Sequence, residues 1–243
     1  MPLTTIRPPL NWLGMTTLIA FDTASERMAI GLLHRAQIAS YRGEGGAKAS
    51  AALLPRLLAL LADAGIGVAD LDAIAFGRGP GAFTGLRTAC SVAQGLAFGA
   101  GLPVLPLDSL LAVAEDARRG AEHCRVWAVI DARMDQVYAA EYAFADGRWS
   151  TLVAPLLTDC ESLGARWGDA PPERVAGNAL PAFGLRLATR DAELAPEAEA
   201  SPTALLTLAE MAWTAREGVD AALALPLYVR DKVALTTAER SSP

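Results

Sequence analysis

Four glycines and one proline lie within eleven residues in the run Gly77-Arg78-Gly79-Pro80-Gly81-Ala82-Phe83-Thr84-Gly85-Leu86-Arg87. An apolar run over 71–76 precedes it and predicts a buried strand, and small residues over about 84–99 predict a helix after it. A strand-to-helix turn collects backbone N–H groups that can bind an anion, and glycine permits close approach of another chain. Three interpretations are open: a phosphate site, a contact with a protein partner, or close packing of the helix on the sheet.

Composition excludes several classes of protein. The chain has 243 residues, 52% of them apolar, which is enough for one large domain or two smaller ones. A net charge of −6 gives no basic face for nucleic acid, so any role on RNA needs a partner to supply the charge. No apolar run is long enough for a membrane helix. Three widely spaced cysteines are typical of reduced thiols in the cytosol, and the two histidines lie too far apart for a zinc-protease motif.

Apolar periodicity predicts a mixture of strands and helices from one end of the chain to the other. The first half is predicted to contain strands at 17–21, 28–33 and 37–42 as an antiparallel meander, a helix at 50–64, a strand at 71–76, a helix at 84–99, a strand at 103–107 and a helix to 119. The second half is predicted to contain strands at 125–130, 136–144 and 148–153, a helix at 158–167, a strand at 173–176, a helix at 201–217 and an extended segment at 226–230.

Both halves contain the order strand, strand, strand, helix, strand, helix, and the first strand of each ends at an aspartate, Asp22 or Asp131. The pattern predicts an α/β chain of two mixed sheets facing each other across a cleft. Paired carboxylates in a cleft can hold Mg²⁺ beside phosphate, with help from the hydroxyls of Thr23 and Ser25. A self-sufficient ATPase or kinase is therefore one alternative. Against it, no glycine follows either aspartate to let the backbone approach an anion.

The sequence gives less support to other classes of enzyme. No lysine follows the glycine stretch at P-loop spacing. Gly77, Gly79 and Ala82 match a G-x-G-x-x-A pattern after a strand, which leaves a Rossmann dinucleotide site as another alternative, although the expected acidic residue about 20 positions on is missing. No G-x-S-x-G motif of an esterase occurs.

The predicted helix at 50–64 has a leucine stripe wider than one buried face requires. Two interpretations are open, a core helix and a helix that offers a second apolar face to another subunit.

Several motifs together resemble one family. The run Gly79–Arg87 is very close to the GPGSFTGLR signature of the bacterial TsaB (YeaZ) proteins. The same family's other motifs resemble, in order, Phe21-Asp22-Thr23-Ala24-Ser25, Leu53-Leu54-Pro55, the run Ile130–Tyr138, Gly177-Asn178-Ala179 and the run Pro226–Arg230. The resemblance covers about residues 16–230.

The resemblance implies a duplicated actin-like ATPase fold, of the sugar kinase, chaperone ATPase and RNase H-like type. It implies an N-terminal domain at 15–108 and a C-terminal domain at 109–231. The composition of residues 1–14, with three prolines and no apolar segment, predicts a disordered extension or a natural start at Met15, and the polar residues 232–243 predict a flexible tail. The family's implied role is a non-catalytic scaffold of the tRNA N6-adenosine threonylcarbamoyl transferase complex in the cytoplasm. Its partners would be the catalytic subunit TsaD and the ATPase TsaE, with a homodimer when alone and tRNA reached only through the complex.

The resemblance also implies which residues matter. No catalytic residue, metal ligand or cofactor of its own is expected, and ATP or ADP would lie at the boundary with the partner. Family members associate through helices of the first domain, which implies partner contacts at Leu53, Leu54, Leu57, Leu58, Leu61, Arg87, Cys90, Ala93 and Ala97. The family loop comprises Gly79, Pro80, Gly81, Phe83, Thr84 and Gly85. If this chain touches nucleotide, the candidates are Asp22, Thr23, Ser25 and Asp131.

Overall fold

Two five-stranded mixed sheets carry the chain in the computed structural model, which describes residues 16–45 and 48–230. The predicted extension at 1–14 and the predicted tail at 232–243 lie outside the described residues. The first sheet has the strand order β3-β2-β1-β4-β5 and the second has β10-β9-β6-β7-β8. Read from opposite ends the two orders are equivalent, so the repeat predicted from the element order is present.

The described part of the first half contains five strands and three α-helices. They are β1 Leu18–Asp22, β2 Arg27–His34, β3 Gln37–Glu44, α1 Ala49–Asp63, β4 Ala73–Gly79, α2 Phe83–Ala100, β5 Val104–Asp108 and α3 Ser109–Arg118. Strands β1, β2 and β3 form the predicted antiparallel meander, and β4 pairs parallel with both β1 and β5.

The second half repeats this order over residues 124–214. Its elements are β6 Cys124–Arg133, β7 Gln136–Ala145, β8 Arg148–Thr158, α4 Cys160–Asp169, β9 Arg174–Ala176, α5 Ala179–Phe183, β10 Glu193–Ala195 and α6 Pro202–Thr214. The short α5 and β10 were not predicted, β8 runs five residues past its predicted end at 153, and α6 ends before 217. With α5 and β10 included, each half contains three strands followed by helix, strand, helix, strand, helix.

Alternation along the strands places a helical layer on each side of both sheets. In β1, Ile19 and Phe21 face the core formed with α1 and α2, while Leu18 and Ala20 face α6. Helix α6, from the second half, thus covers the inner face of the first sheet. Helix α3, from the first half, packs on the inner face of the second sheet through its apolar residues. The exchange of α3 and α6 ties the halves together, while the domain boundaries given above stay a prediction.

No helix within the described ranges is long and apolar enough to cross a membrane.

Candidate functional site

The loop within the glycine stretch is shorter than the sequence predicted. Strand β4 continues through Gly79, and α2 begins at Phe83, so only Pro80, Gly81 and Ala82 lie between them. The turn is tied to the end of β1: the Ala82 N–H donates to the carbonyl oxygen of Ala24 at 2.7 Å. The rigid turn therefore fixes the first turn of α2 against the loop that follows Asp22.

Three glycines permit this packing because each lies where a Cβ atom would overlap the β1 end. A Cβ at Gly77 would meet the carboxylate of Asp22, one at Gly81 the carbonyl oxygen of Ala24, and one at Gly85 the carbonyl oxygen of Thr23. Of the three interpretations of the stretch, close packing accounts for these glycines. It also removes the dinucleotide alternative, because the space beside Gly77 holds the chain's own carboxylate.

Asp22 is a buried carboxylate at the end of β1, only 2% exposed. Its Oδ1 accepts a 2.6 Å hydrogen bond from the Ala24 N–H, and its Oδ2 accepts one from the Ser109 hydroxyl at the start of α3. Burial raises the pKa of the Asp22 carboxyl, and the hydrogen bonds from Ser109 and Ala24 offset part of that rise.

Asp131 has a different environment, on the partly exposed end of β6. Its carboxylate accepts the Arg133 N–H at 2.7 Å and the Arg133 guanidinium at 3.1 Å. The same guanidinium pairs with Glu26, from the first half. The charge of Asp131 is thus already balanced by a neighbour, and Arg133 joins the two halves across the cleft.

Two adjoining cavities formed by described residues lie between the halves. The first, of about 420 Å³, is lined by the turn after β1, the glycine turn, the β6–β7 hairpin and residues 227–230, and it includes Asp131. The second, of about 240 Å³, includes Asp22 and Ser109. The two aspartates therefore line different cavities, and Ser25 lines both.

Of the four residues predicted to touch nucleotide, Asp131 lines the first cavity, Asp22 lines the second, Ser25 lines both and Thr23 lines neither. Thr23 is fully buried, and its hydroxyl is occupied by the carbonyl oxygen of Gly85 at 2.7 Å. Among the described residues no group of three or more His, Cys, Asp or Glu side chains could hold a metal ion.

The predicted partner contacts divide into buried and exposed residues. Six of the nine belong to the core between the first sheet and its two covering helices and offer little surface to a partner: Leu53, Leu57, Leu61, Cys90, Ala93 and Ala97. Their side chains are covered by this chain itself. Leu54 and Leu58 are 39% and 44% exposed. Arg87 is exposed and stacks 3.8 Å from the centre of the Phe83 ring.

Helix α2 adds exposed residues that the sequence interpretation missed. Phe98 is 84% exposed, and nothing lies within 4 Å of a Cβ built at Gly95 or Gly99. Because α1 and α2 cover the same side of the first sheet, their outward surfaces lie side by side. We call the surface formed by Leu54, Leu58, Gly95, Phe98 and Gly99 the docking face. The spacing of 95, 98 and 99, one helical turn, was the sequence signal for it.

A duplicated pair of five-stranded sheets with this strand order defines an actin-like, RNase H-like α/β protein. A family model described as "TsaD: tRNA N6-adenosine threonylcarbamoyltransferase" matches residues 44–183. The solved structure of YeaZ from Pseudomonas aeruginosa is 38% identical, with a TM-score of 0.79 over 88% of this chain and 100% of that one. The chain belongs to the TsaB (YeaZ) family.

Curated relatives agree with this placement over part of their length. The tRNA threonylcarbamoyladenosine biosynthesis protein TsaB of Haemophilus influenzae is 42% identical over 125 residues, 51% of this chain and 53% of that protein. The protein of the same name from Escherichia coli is 38% identical over 125 residues, 51% of this chain and 54% of that protein. The matched region thus spans about half the length of these curated relatives.

The fold class implies a nucleotide with a divalent metal in the cleft, and the residues present do not fit that group. Gly81 and Gly85 pack on the chain's own carbonyl groups rather than leaving a cradle for phosphate. Both oxygens of Asp22 already accept hydrogen bonds, from Ala24 and Ser109, and Asp131 is paired with Arg133. We derive no chemical step through a nucleotide in this cleft.

Proposed function

We propose that the chain acts in tRNA threonylcarbamoyladenosine biosynthesis as a scaffold without catalysis of its own, binding the threonylcarbamoyltransferase subunit TsaD through the docking face. TsaE is the third member of the assembly, and without TsaD two copies of the chain associate through the same face. Family membership supports the pathway, and the docking face supports the mode of action. The place of action is the cytoplasm, where tRNA is modified.

The observation that carries this proposal is the chemistry of the docking face. Each glycine in a helix interior costs roughly 0.5–1 kcal/mol relative to alanine, and Gly95 and Gly99 gain no contact within this chain in return. Small residues let a second helix approach closely, and exposed Phe98 and Leu58 supply the apolar area beside it. Helix α2 has no charged residue after Arg87, so covering this surface desolvates no ion.

The acidic charge of the chain supports a scaffold rather than a direct tRNA binder. Neutralising several phosphates requires clustered lysine and arginine, and the chain carries a net charge of −6. The tRNA contacts would then be supplied by the partner subunits.

Co-elution with TsaD tests the proposal. The wild-type chain, mixed with TsaD at micromolar concentration with nucleotide present, is expected to co-elute in gel filtration. Leu58→Glu and Phe98→Glu should abolish co-elution, because each places a charge in the interface. Leu185→Glu, at a fully exposed leucine of the second half, is the matched control and should co-elute as wild type. Failure of the wild-type chain to co-elute would overturn the proposal.

The scaffold role also predicts that nucleotide binds only at a site to which the partner subunit contributes residues. We propose that ATP or ADP lies at the boundary with TsaD and that the isolated chain turns over no ATP. Turnover by the isolated chain that is lost in Asp22→Ala would favour a self-sufficient ATPase instead.

A further inference from the structure

We propose that the docking face continues past α2 onto the segment at 221–228, which we call the strap, and that Leu223 and Leu225 of the strap contact the same TsaD subunit. The inference rests on the proposed function, because it adds a second part to the surface that TsaD would cover. It depends on where the strap lies, on how it is held and on the exposure of its two leucines.

The strap lies along α2, on the side away from α1. In the first sheet, ordered β3-β2-β1-β4-β5, helix α1 packs on β2 and β3 while α2 packs on β4. Val219, just before the strap, pairs with Val104 of the edge strand β5 through two 2.9 Å hydrogen bonds. At its other end, Tyr228 packs on Phe83 at the start of α2. Helix α2 therefore lies between α1 and the strap, and the strap runs antiparallel to it.

Hydrogen bonds hold the strap on α2. The carbonyl oxygen of Ala224, which is fully buried, accepts the Cys90 thiol at 3.2 Å and the Gln94 amide at 3.0 Å. The turn before it is capped by Asp220, whose carboxylate accepts the Ala222 N–H at 2.8 Å. The strap thus has a fixed position before a partner binds, which lowers the entropic cost of an interface built on it.

The two leucines that flank Ala224 are exposed beside the docking face. Leu223 and Leu225 are each 67% exposed. Phe98 of the docking face comes one helical turn after Gln94 and lies on the same side of α2, the side that contacts the strap. Because the strap is antiparallel to α2, Leu223 lies toward Phe98. The exposed apolar surface is therefore continuous from α1 across α2 to the strap, as expected of a protein contact surface.

The size and chemistry of this surface fit TsaD as its occupant. A stable interface takes roughly 800 Å² and about 20–30 residues from each partner, far more than the five residues of the docking face. The strap adjoins that face, so the subunit that covers the face reaches the strap as well. No charged residue occurs from 221 to 229, so covering the strap removes none of its own charges from water.

Titration calorimetry of TsaD into the wild-type chain, Leu223→Glu and Leu225→Glu tests the extension. Each variant should bind TsaD at least about tenfold more weakly, because the new carboxylate is desolvated against an apolar surface. Leu185→Glu adds the same charge at a fully exposed leucine of the second half and should bind as wild type does. Urea denaturation should give the same midpoint for all four proteins, since each substituted leucine is mostly exposed.

Hydrogen exchange on the wild-type chain tests the same contact without a substitution, because TsaD should slow exchange at the strap amides. Unchanged exchange there, or undiminished TsaD binding by both strap variants, would overturn the extension and leave the proposed function standing. Loss of self-association with TsaD binding retained would assign the strap to the homodimer and also overturn it. Failure of the wild-type chain to bind TsaD would overturn the proposed function and the extension together.

Discussion

The hydroxyl of Thr23 donates a 2.7 Å hydrogen bond to the carbonyl oxygen of Gly85, 62 residues away in the sequence. The bond joins the end of β1 to the first turn of α2, and both groups are buried. It forms because Gly85 has no side chain: a Cβ there would overlap the carbonyl oxygen of Thr23. Gly85 of the family loop is thus explained by the close approach of two backbones.

Gly85→Ala should therefore destabilise the chain by roughly 1–3 kcal/mol, since the new methyl group must displace backbone rather than a flexible side chain. Gly95→Ala makes the same change ten residues further along α2, where nothing lies within 4 Å. That variant should be more stable than wild type by about 0.5–1 kcal/mol through helix propensity. Urea denaturation of both variants measures the difference. Equal stabilities for the two would contradict the packing account.

The element order was predictable because apolar periodicity is a local property. The elements missed were α5 and β10, of five and three residues, which are too short to show a period. The glycine stretch stayed open to three interpretations because glycine in a sequence does not show what approaches it. Only the positions of Asp22, Ala24 and Thr23 beside it decide that question.

The candidate site was harder to predict than the fold. Asp22 and Asp131 both end the first strand of a half, yet Asp22 is enclosed by α3 and Asp131 is paired with Arg133. The Ser109 hydroxyl that binds Asp22 lies 87 residues further along the chain, and Glu26, which shares the Arg133 guanidinium with Asp131, comes from the other half, so neither contact shows in the local sequence. The leucine stripe likewise did not show which residues point toward the sheet.

Leu57 and Leu58 test which leucines of α1 point toward the sheet and which point toward solvent. Leu57 is fully buried and Leu58 is 44% exposed. Leu57→Ala should cost about 2–5 kcal/mol because it leaves a cavity in the core under α1. Leu58→Ala should change the free energy of unfolding by no more than about 0.5 kcal/mol. Chemical denaturation of both variants gives the two values, and similar losses for both would place Leu58 in the core.

Asp22 should make stability fall as pH rises. Its folded pKa is raised above the ordinary value of 3.8, so the unfolded chain releases this proton at lower pH than the folded chain. The loss of stability caused by ionising the buried Asp22 is absent below the unfolded pKa. It grows between the unfolded and the folded pKa and is complete above the folded pKa. Asp22→Asn removes it, so the melting temperature of the variant should rise relative to wild type from pH 3 to pH 7.

Asp135 is the matched control for that experiment, because its pKa is shifted in the opposite direction from that of Asp22. The Arg186 guanidinium, which binds both oxygens of Asp135 at 2.6 Å, lowers the pKa of that carboxyl. Its contribution is present above the ordinary pKa and lost as pH falls through the folded value. The melting temperature of Asp135→Asn should therefore fall relative to that of wild type over the same rise in pH. The change should be small because the ion pair is exposed. Parallel curves for the two variants would contradict the assignment for Asp22.

Tyr228 should hold the C-terminal segment on α2. Its ring centre lies 5.5 Å from that of Phe83, and its hydroxyl accepts a 3.2 Å hydrogen bond from Arg87. The next residue back, Leu227, donates its N–H to the carbonyl oxygen of Arg78 at 2.7 Å. Tyr228→Ala should destabilise this segment by about 1 kcal/mol through loss of the ring contact, and hydrogen exchange at the Leu227 amide should quicken severalfold.

Tyr228→Phe separates the ring from its hydroxyl. It keeps the contact with Phe83 and loses only the exposed hydrogen bond to Arg87, which water replaces at little cost. Exchange at Leu227 should then stay close to the wild-type rate. If Tyr228→Phe exchanges as fast as Tyr228→Ala, the hydroxyl holds the segment. If neither variant changes the rate, the segment is held by other contacts, among them the hydrogen bonds that Cys90 and Gln94 donate to the carbonyl oxygen of Ala224.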